Sequence, residues 1–481
     1  MELHRSIVAI TKSGLCCTML IVSYIANAEV RTADTLVERL DRNGDGGLSR
    51  TEIPRQMQRL YTAFDYIDAN RDGIISANEL YAASSRRQSQ PEKIQPDLSE
   101  TSVVGNGAEV IRARMLKAIN DQELPGAIVL FIKDGAVVFE EVYGYADREA
   151  KREQRIDDLF NLGSTSKPLA MTTVMTQIAA GKINLDDPVS RWIPQYDNKK
   201  LVNGTRAKRS PTVREMMTHT SGIFALKCGK RRDLSLLYMF KRTLKESAEA
   251  IAARPLQYQP GEDFCYGGPS MQVLGYIVEK ITGEDFDVVA KKTVFSPLQM
   301  KDSFYRTSQD LSKRIAVVYD KSGNGLRRSR RMRDPKGDIF ILVPGGVFST
   351  AHDLSLFVQA HLQDGVLNGQ RVLPEKIVLE MRRNQIGDLE TDFGDPAIGE
   401  RNSAALGEIQ GYGLGWILDE IRPDGSARVF SHGGAWGTYI WGDVEAQLGA
   451  VLLTQTPLPN ATPVWNDIVR IARATWSDIE R

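Results

Sequence analysis

One pattern occurs twice near the start of the 481-residue chain, and it restricts the local backbone more tightly than any other stretch. It reads DRNGDGGLSRTE from Asp41 to Glu52 and DANRDGIISANE from Asp68 to Glu79. In each copy oxygen-bearing side chains stand first, third, fifth, ninth and twelfth, with a glycine sixth. The glycine marks a sharp turn that a Cβ would resist, so the chain must curl and direct the alternating oxygens inward. A shell of hard oxygen donors around one point suits a hard cation. Asp41, Asn43, Asp45 and Glu52 would supply side-chain ligands in the first loop, the Gly47 carbonyl would stand seventh, and Ser49 would act through water. Asp68, Asn70, Asp72, the Ile74 carbonyl, Ser76 and Glu79 would do the same in the second.

This spacing is that of the EF-hand calcium loop. Leu48 and Ile75 take the eighth positions, where paired loops join through a short strand contact. Met57, Leu60 and Phe64 recur at helical spacing between the loops, and Pro54 falls in the first turn of that helix, where its missing N–H costs little. Residues 29–82 are therefore expected to form a small all-α EF-hand pair. Outside the cytosol, where calcium is plentiful, such a site stays filled, so we expect a structural or docking role.

An exported setting follows from the first 28 residues. Arg5 and Lys12 precede an apolar run from Leu15 to Ile25, and Ala26 and Ala28 supply the small residues of a signal-peptide cleavage site. Periplasmic or secreted localisation is the expectation. The run is short for a membrane span, and no later stretch is apolar enough, so no transmembrane segment is expected after signal removal. Cys16 and Cys17 leave with the leader, and only Cys228 and Cys265 remain. A chain of this size can be stable without a staple, so free, buried thiols are the expectation, with pairing left open. Lys+Arg and Asp+Glu are both 61, so no net field directs the chain to nucleic acid or to a membrane surface. Residues 83–107, rich in Ser, Gln and Pro, read as a linker, and a second domain is expected over 108–481.

Within that domain, NLGSTSKPLAMTTV places Ser164 three residues before Lys167. A helix running from Ser164 to Gly181 would put both on one face, with the amine in reach of the hydroxyl and the helix N-terminus favouring negative charge there. Alone, S-x-x-K is also compatible with a solvated first turn. Upstream, two apolar runs around KDG read as a β-hairpin.

The segments around Ser164 resemble the serine β-lactamase and penicillin-recognising hydrolase family, in particular its class C and esterase branches. The resemblance runs from about Ala108 to the C-terminus, through LDDPVSRWIP (Leu185 to Pro194), TVREMMTHTSGI (Thr212 to Ile223), PGEDFCYGGPSMQVLGYIVEKITG (Pro260 to Gly283), GGVFSTAHDLSLF (Gly345 to Phe357), GYGLGW (Gly411 to Trp416) and FSHGGAWG (Phe430 to Gly437). It implies an α/β fold: an antiparallel sheet made from early and late parts of the chain, flanked by helices, plus an all-helical region carrying Ser164. It further implies that Ser164 is the nucleophile, Lys167 its base, and Tyr266 the proton shuttle between nucleophile and leaving group. His432 would line the substrate groove, and the N–H groups of Ser164 and Ala435 would hold an oxyanion. Glycines in HGG would let substrate approach the strand closely. His219 would brace the scaffold.

Two residues depart from the family pattern. Gly268 stands where a Y-x-N motif has its Asn, and His432 stands where a K-T-G strand has a permanent cation. Both changes favour a neutral ester over a β-lactam or peptide acid. The reading is an exported serine hydrolase, esterase-like, acting on a small-molecule ester, β-lactam or peptide without a catalytic cofactor, with possible cell-envelope contact. A β-lactamase or D-Ala-D-Ala carboxypeptidase is the alternative within the class, and a calcium-dependent binding protein the alternative outside it. Arg327 to Arg333 and Gly387 to Glu408 read as solvated loops. Trp416 and Trp441 read as core, and WNDIVRIARATW as a helix on the sheet.

Overall fold

The computed structural model describes residues 37, 39–53, 67, 72–77, 79, 80 and 106–477, apart from 226–227, 240–241, 307–310, 323–324, 330–339 and 392–408. The proposed leader, Pro54, Met57, Leu60, Phe64, Asp68, Asn70, most of the linker, Arg330 to Arg333 and most of the acidic insertion lie outside these residues. The chain divides into two compact units, Met1–Asp97 and Leu98–Arg481.

In the first unit, β1 (Gly47–Ser49) and β2 (Ile74–Ser76) pair antiparallel, with Leu48 opposite Ile75. Both side chains are fully buried, in a cluster with Val37, Ile53, Ile67 and Leu80. Gly46 and Gly73 have φ of +87° and +86°, the left-handed turn that the sixth position requires. The strand contact between eighth residues therefore joins the two loops.

The second unit is built on one antiparallel sheet. Its early strands are β3 (Gly126–Lys133), β4 (Ala136–Asp147) and β5 (Arg152–Glu153), and its late strands are β6 (Gly411–Tyr412), β7 (Ile417–Ile421), β8 (Ala427–Gly433), β9 (Tyr439–Asp443) and β10 (Leu448–Thr454). They lie in the order β6-β7-β8-β9-β10-β3-β4-β5. The joint is β10 against β3, where Leu448 opposes Lys133 and Thr454 opposes Ala127. β3 reads GAIVLFIK because it is covered on both faces. Ala127, Val129 and Phe131 point to a layer formed by α1 (Gly107–Asn120) and the C-terminal α6 (Leu458–Trp476), including Ile468 and Ile471. Ile128, Leu130 and Ile132 point to the larger core, which takes in α2 (Ser166–Ala179), α3 (Leu244–Ala252), α4 (Pro269–Thr282) and α5 (Ala351–Leu362). Trp416 and Trp441 are fully buried, Trp416 edge-on to Phe430 at 4.8 Å. Among the described residues, no helix is long and apolar enough to cross a membrane.

The cysteine expectation is corrected here, because Cys228 and Cys265 form a disulfide. Cys265 N–H donates to His219 O, bringing the two segments together, and a turn closed by Ala225 N–H to Cys228 O sets Cys228 beside it. Folding thus places both thiols side by side, which their separation of 37 residues did not reveal.

Candidate active site

Ser164 lies on a tight 3₁₀ turn, Gly163–Thr165, and α2 begins only at Ser166. The helix expected from Ser164 therefore starts two residues later. The turn is tight because the Asn161 side chain accepts the Gly163 N–H at 3.0 Å while Gly163 adopts a φ of +53°. Gly181, with φ of +70°, follows the helix end as expected.

Lys167 comes round one turn to place Nζ 2.8 Å from Ser164 Oγ and 3.4 Å from the Pro344 carbonyl. Burial lowers its pKa to about 7, since charging an amine away from water is costly. Tyr266 follows the disulfide, and its phenol hydrogen-bonds Ser164; burial raises its pKa. Lys167 Nζ also sits 4.7 Å from the centre of the Tyr266 ring. Ser164, Lys167 and Tyr266 thus converge, and of the three, the amine is the group able to lose its proton near neutral pH.

β8 brings up the opposite wall. Ala435 follows its end, and a Cβ on Gly163 would come within 2.9 Å of the Ala435 N. No described residue accepts a hydrogen bond from that N–H. Thr438 ties this loop down, donating to Leu162 O at 2.7 Å and pairing with Thr165 Oγ1 at 3.0 Å. A Cβ on Gly434 would overlap Leu162 O and Thr438 Oγ1, so the glycine lets the strand end press against the Gly163–Thr165 turn.

His432 is 1% exposed, and both ring nitrogens face inward, Nδ1 at 2.9 Å from Gly433 O and Nε2 at 3.5 Å from the Tyr412 hydroxyl. Burial, with the Lys167 charge nearby, pushes its pKa down to about 3. A neutral, internally bonded imidazole does not anchor a substrate carboxylate. The structure thus buries His432, where the resemblance implied a residue lining an open groove. His219 is also buried, 4.8 Å from the Tyr266 ring centre.

Three participants were missed from sequence. Pro344, whose carbonyl meets Lys167, precedes the quoted GGVF segment. Tyr412 was inside GYGLGW but carried no assigned role. Leu237 occupies the space beside Gly268, where a Cβ would lie 2.6 Å from Leu237 Cδ2 and 2.8 Å from Pro344 Cγ.

In the first oxygen-rich loop, Glu52 turns back to accept from the N–H of Arg42, at 2.8 Å, and of Ser49, at 2.9 Å. Those bonds and the Ser49 hydroxyl, the largest contributor, lower its pKa to about 2. Asp41 accepts from Gly44 and Gly46, and Asp45 from Gly47. The donor set is all oxygen and Glu52 is ionised, which fits calcium. Among the described residues, however, no three His, Cys, Asp or Glu side chains are gathered closely enough to hold a metal ion.

The Beta-lactamase family model matches residues 109–473, and the EF hand model matches residues 60–82. Esterase EstB of Burkholderia gladioli is 27% identical over 374 residues, covering 71% of this chain and 88% of that protein. EstCE1, a hydrolase with promiscuous acyltransferase activity, superposes with a TM-score of 0.64 at 22% identity, covering 79% of this chain and 100% of that one. Simvastatin synthase LovD of Aspergillus terreus gives a TM-score of 0.63 at 19% identity, covering 79% and 100%. These solved structures share the fold.

Proposed function

The chain belongs to the Beta-lactamase family of serine hydrolases, and from that premise we propose that it is an exported esterase working through an acyl-enzyme on Ser164. The observation that carries this reading is the buried Lys167 amine, 2.8 Å from Ser164 Oγ with its pKa lowered to about 7. In its neutral form, Lys167 takes the Ser164 proton as Oγ attacks the ester carbonyl. The N–H groups of Ser164 and Ala435 receive the oxyanion, each such donor being worth about 3 to 4 kcal/mol. The Tyr266 phenol gives a proton to the departing alkoxide and recovers one from the Lys167 ammonium. Water then attacks the acyl-enzyme by the same relay in reverse, releasing the acid and free Ser164.

Esters are favoured over β-lactams and peptide acids for two physical reasons. The volume beside Gly268 is filled by Leu237 and Pro344, which offer apolar surface and no amide-recognising side chain. His432 is neutral and brings no cation to a carboxylate. The similarity to esterase EstB supports the same choice.

The N-terminal unit is proposed to bind calcium through Asp41, Asn43, Asp45, Gly47, Ser49 and Glu52 and through the matching residues of the second loop. The proposed role is stability or contact with the cell envelope. Calorimetric titration of the full chain should give heat with calcium that is lost in an Asp41→Ala/Asp68→Ala variant.

The enzymatic reading is tested with a p-nitrophenyl ester and a chromogenic β-lactam, alongside Ser164→Ala. Ester turnover that Ser164→Ala abolishes, with fluorophosphonate labelling of Ser164, is the expected result. Silence on both substrates, with no labelling, would leave a binding protein instead.

A further inference from the structure

We propose that His219 and Tyr412 act as a positioning pair, holding Tyr266 against Ser164 and giving the buried Nε2 of His432 its hydrogen-bond donor. The inference rests on the acyl-enzyme reading of Ser164, and it begins from four consecutive hydrogen bonds behind the site. Gly267 N–H donates to His219 Nδ1 at 3.4 Å, His219 Nε2 lies 3.1 Å from the Tyr412 hydroxyl, that hydroxyl lies 3.5 Å from His432 Nε2, and His432 Nδ1 lies 2.9 Å from Gly433 O.

The two ends of this chain can each play only one part. Gly267 N–H can only donate, and Gly433 O can only accept. Both imidazoles are buried and neutral, and a neutral imidazole donates once and accepts once. His219 must then carry its proton on Nε2 and His432 on Nδ1. Tyr412 accepts from the first ring and donates to the second. One arrangement of protons satisfies every member, and a different tautomer at either ring leaves a buried group unpaired.

Tyr266 is held by the same machinery. His219 grips the segment around it at three points: its carbonyl accepts the Cys265 N–H at 2.9 Å, its Nδ1 accepts from Gly267, and its ring packs on the Tyr266 ring. His219 adopts a φ of +63°, an uncommon conformation for a residue with a Cβ, and this presents ring and carbonyl to that segment together. The His432 ring stands across Tyr266 at 6.2 Å. The relay therefore connects the residues that flank the proton shuttle.

The test uses the full chain. Long-range ¹⁵N–¹H imidazole spectra of the unmodified protein should show His219 protonated on Nε2 and His432 on Nδ1. Tyr412→Phe keeps the ring but removes the hydroxyl, and His219→Asn keeps the left-handed backbone and an acceptor for Gly267. Each should lower kcat on a p-nitrophenyl ester about 10- to 100-fold, the scale of a small misplacement, with KM nearly unchanged. The double variant should be no slower than the slower single one, and Tyr412→Phe should shift the His432 Nε2 resonance, which loses its donor, while the proton stays on Nδ1. His432 protonated on Nε2 in the unmodified protein, an unchanged kcat, or additive losses would each overturn the proposal. The spectra need no turnover, so an enzyme inactive on esters would remove the hydrolase reading while the relay was still being tested.

Discussion

Lys167 meets Ser164 as an amine with no carboxylate paired to it among the described residues: its Nζ lies 2.8 Å from Oγ, and burial lowers its pKa to about 7. On ester substrates, kcat/KM should rise through about pH 7 and level off above it, as read from a pH–rate profile. Lys167→Arg, which cannot lose its proton, should cost about 10² to 10⁴ in rate. Between about pH 7 and the ordinary lysine value of about 10.4, the unfolded chain holds a proton that the native chain has lost, so stability should increase with pH across that window. Lys167→Met should remove this slope, add stability at neutral pH and abolish turnover. A profile flat across neutral pH would contradict the assignment of Lys167 as base.

Gly268 heads α4 with a φ of −98°, so an Asn is acceptable to the backbone there, and what resists it is Leu237 and Pro344. Gly268→Asn should reduce ester kcat/KM about tenfold, because displacing Pro344 disturbs the carbonyl that Lys167 contacts. Adding Leu237→Ala should restore part of that loss and raise the ratio of β-lactam to ester turnover. Equal ratios in all three proteins would show that this pocket does not govern selectivity.

Cys265 precedes Tyr266, so the disulfide to Cys228 ties down the segment leading to Tyr266. A Cys228→Ser/Cys265→Ser variant frees the intervening loop in the unfolded chain, a loss of about 3 to 4 kcal/mol by chain entropy. Denaturant midpoints should fall accordingly, and ester turnover with them. Identical midpoints would exclude a stabilising role.

Asp419 is 1% exposed, and neither carboxylate oxygen has a hydrogen-bond partner among the described residues. Burial, with Glu420 adding repulsion and Arg473 partly offsetting both, raises its pKa to about 8. The native state therefore holds a proton that the unfolded state releases at about pH 4, and stability should fall as pH climbs from there towards 8. Asp419→Asn should flatten that decline and add about 1 to 3 kcal/mol at alkaline pH, measured by denaturant unfolding at several pH values. An unchanged slope would place the titration elsewhere.

Much of the architecture was legible in the residues. The alternating oxygens and sixth-position glycines specify each loop locally, and Leu48 opposite Ile75 follows from the shared eighth position. Ser164 and Lys167 are three apart, so a helical turn brings them together wherever the segment lies. The β3 run announces a strand buried on both faces. These features depend on short-range geometry, and short-range geometry is written in spacing.

What only the tertiary structure decided are the contacts between segments far apart in the chain. Gly434 was legible as a glycine, but that it presses on Leu162 O depends on how β8 meets the Gly163–Thr165 turn. The pairing of Cys228 with Cys265, the filling of the Gly268 space by Leu237, and the Tyr412 link between His219 and His432 arise in the same way. Burial sets the lowered Lys167 pKa, and burial is a property of everything packed around a group, which no local stretch of sequence encodes.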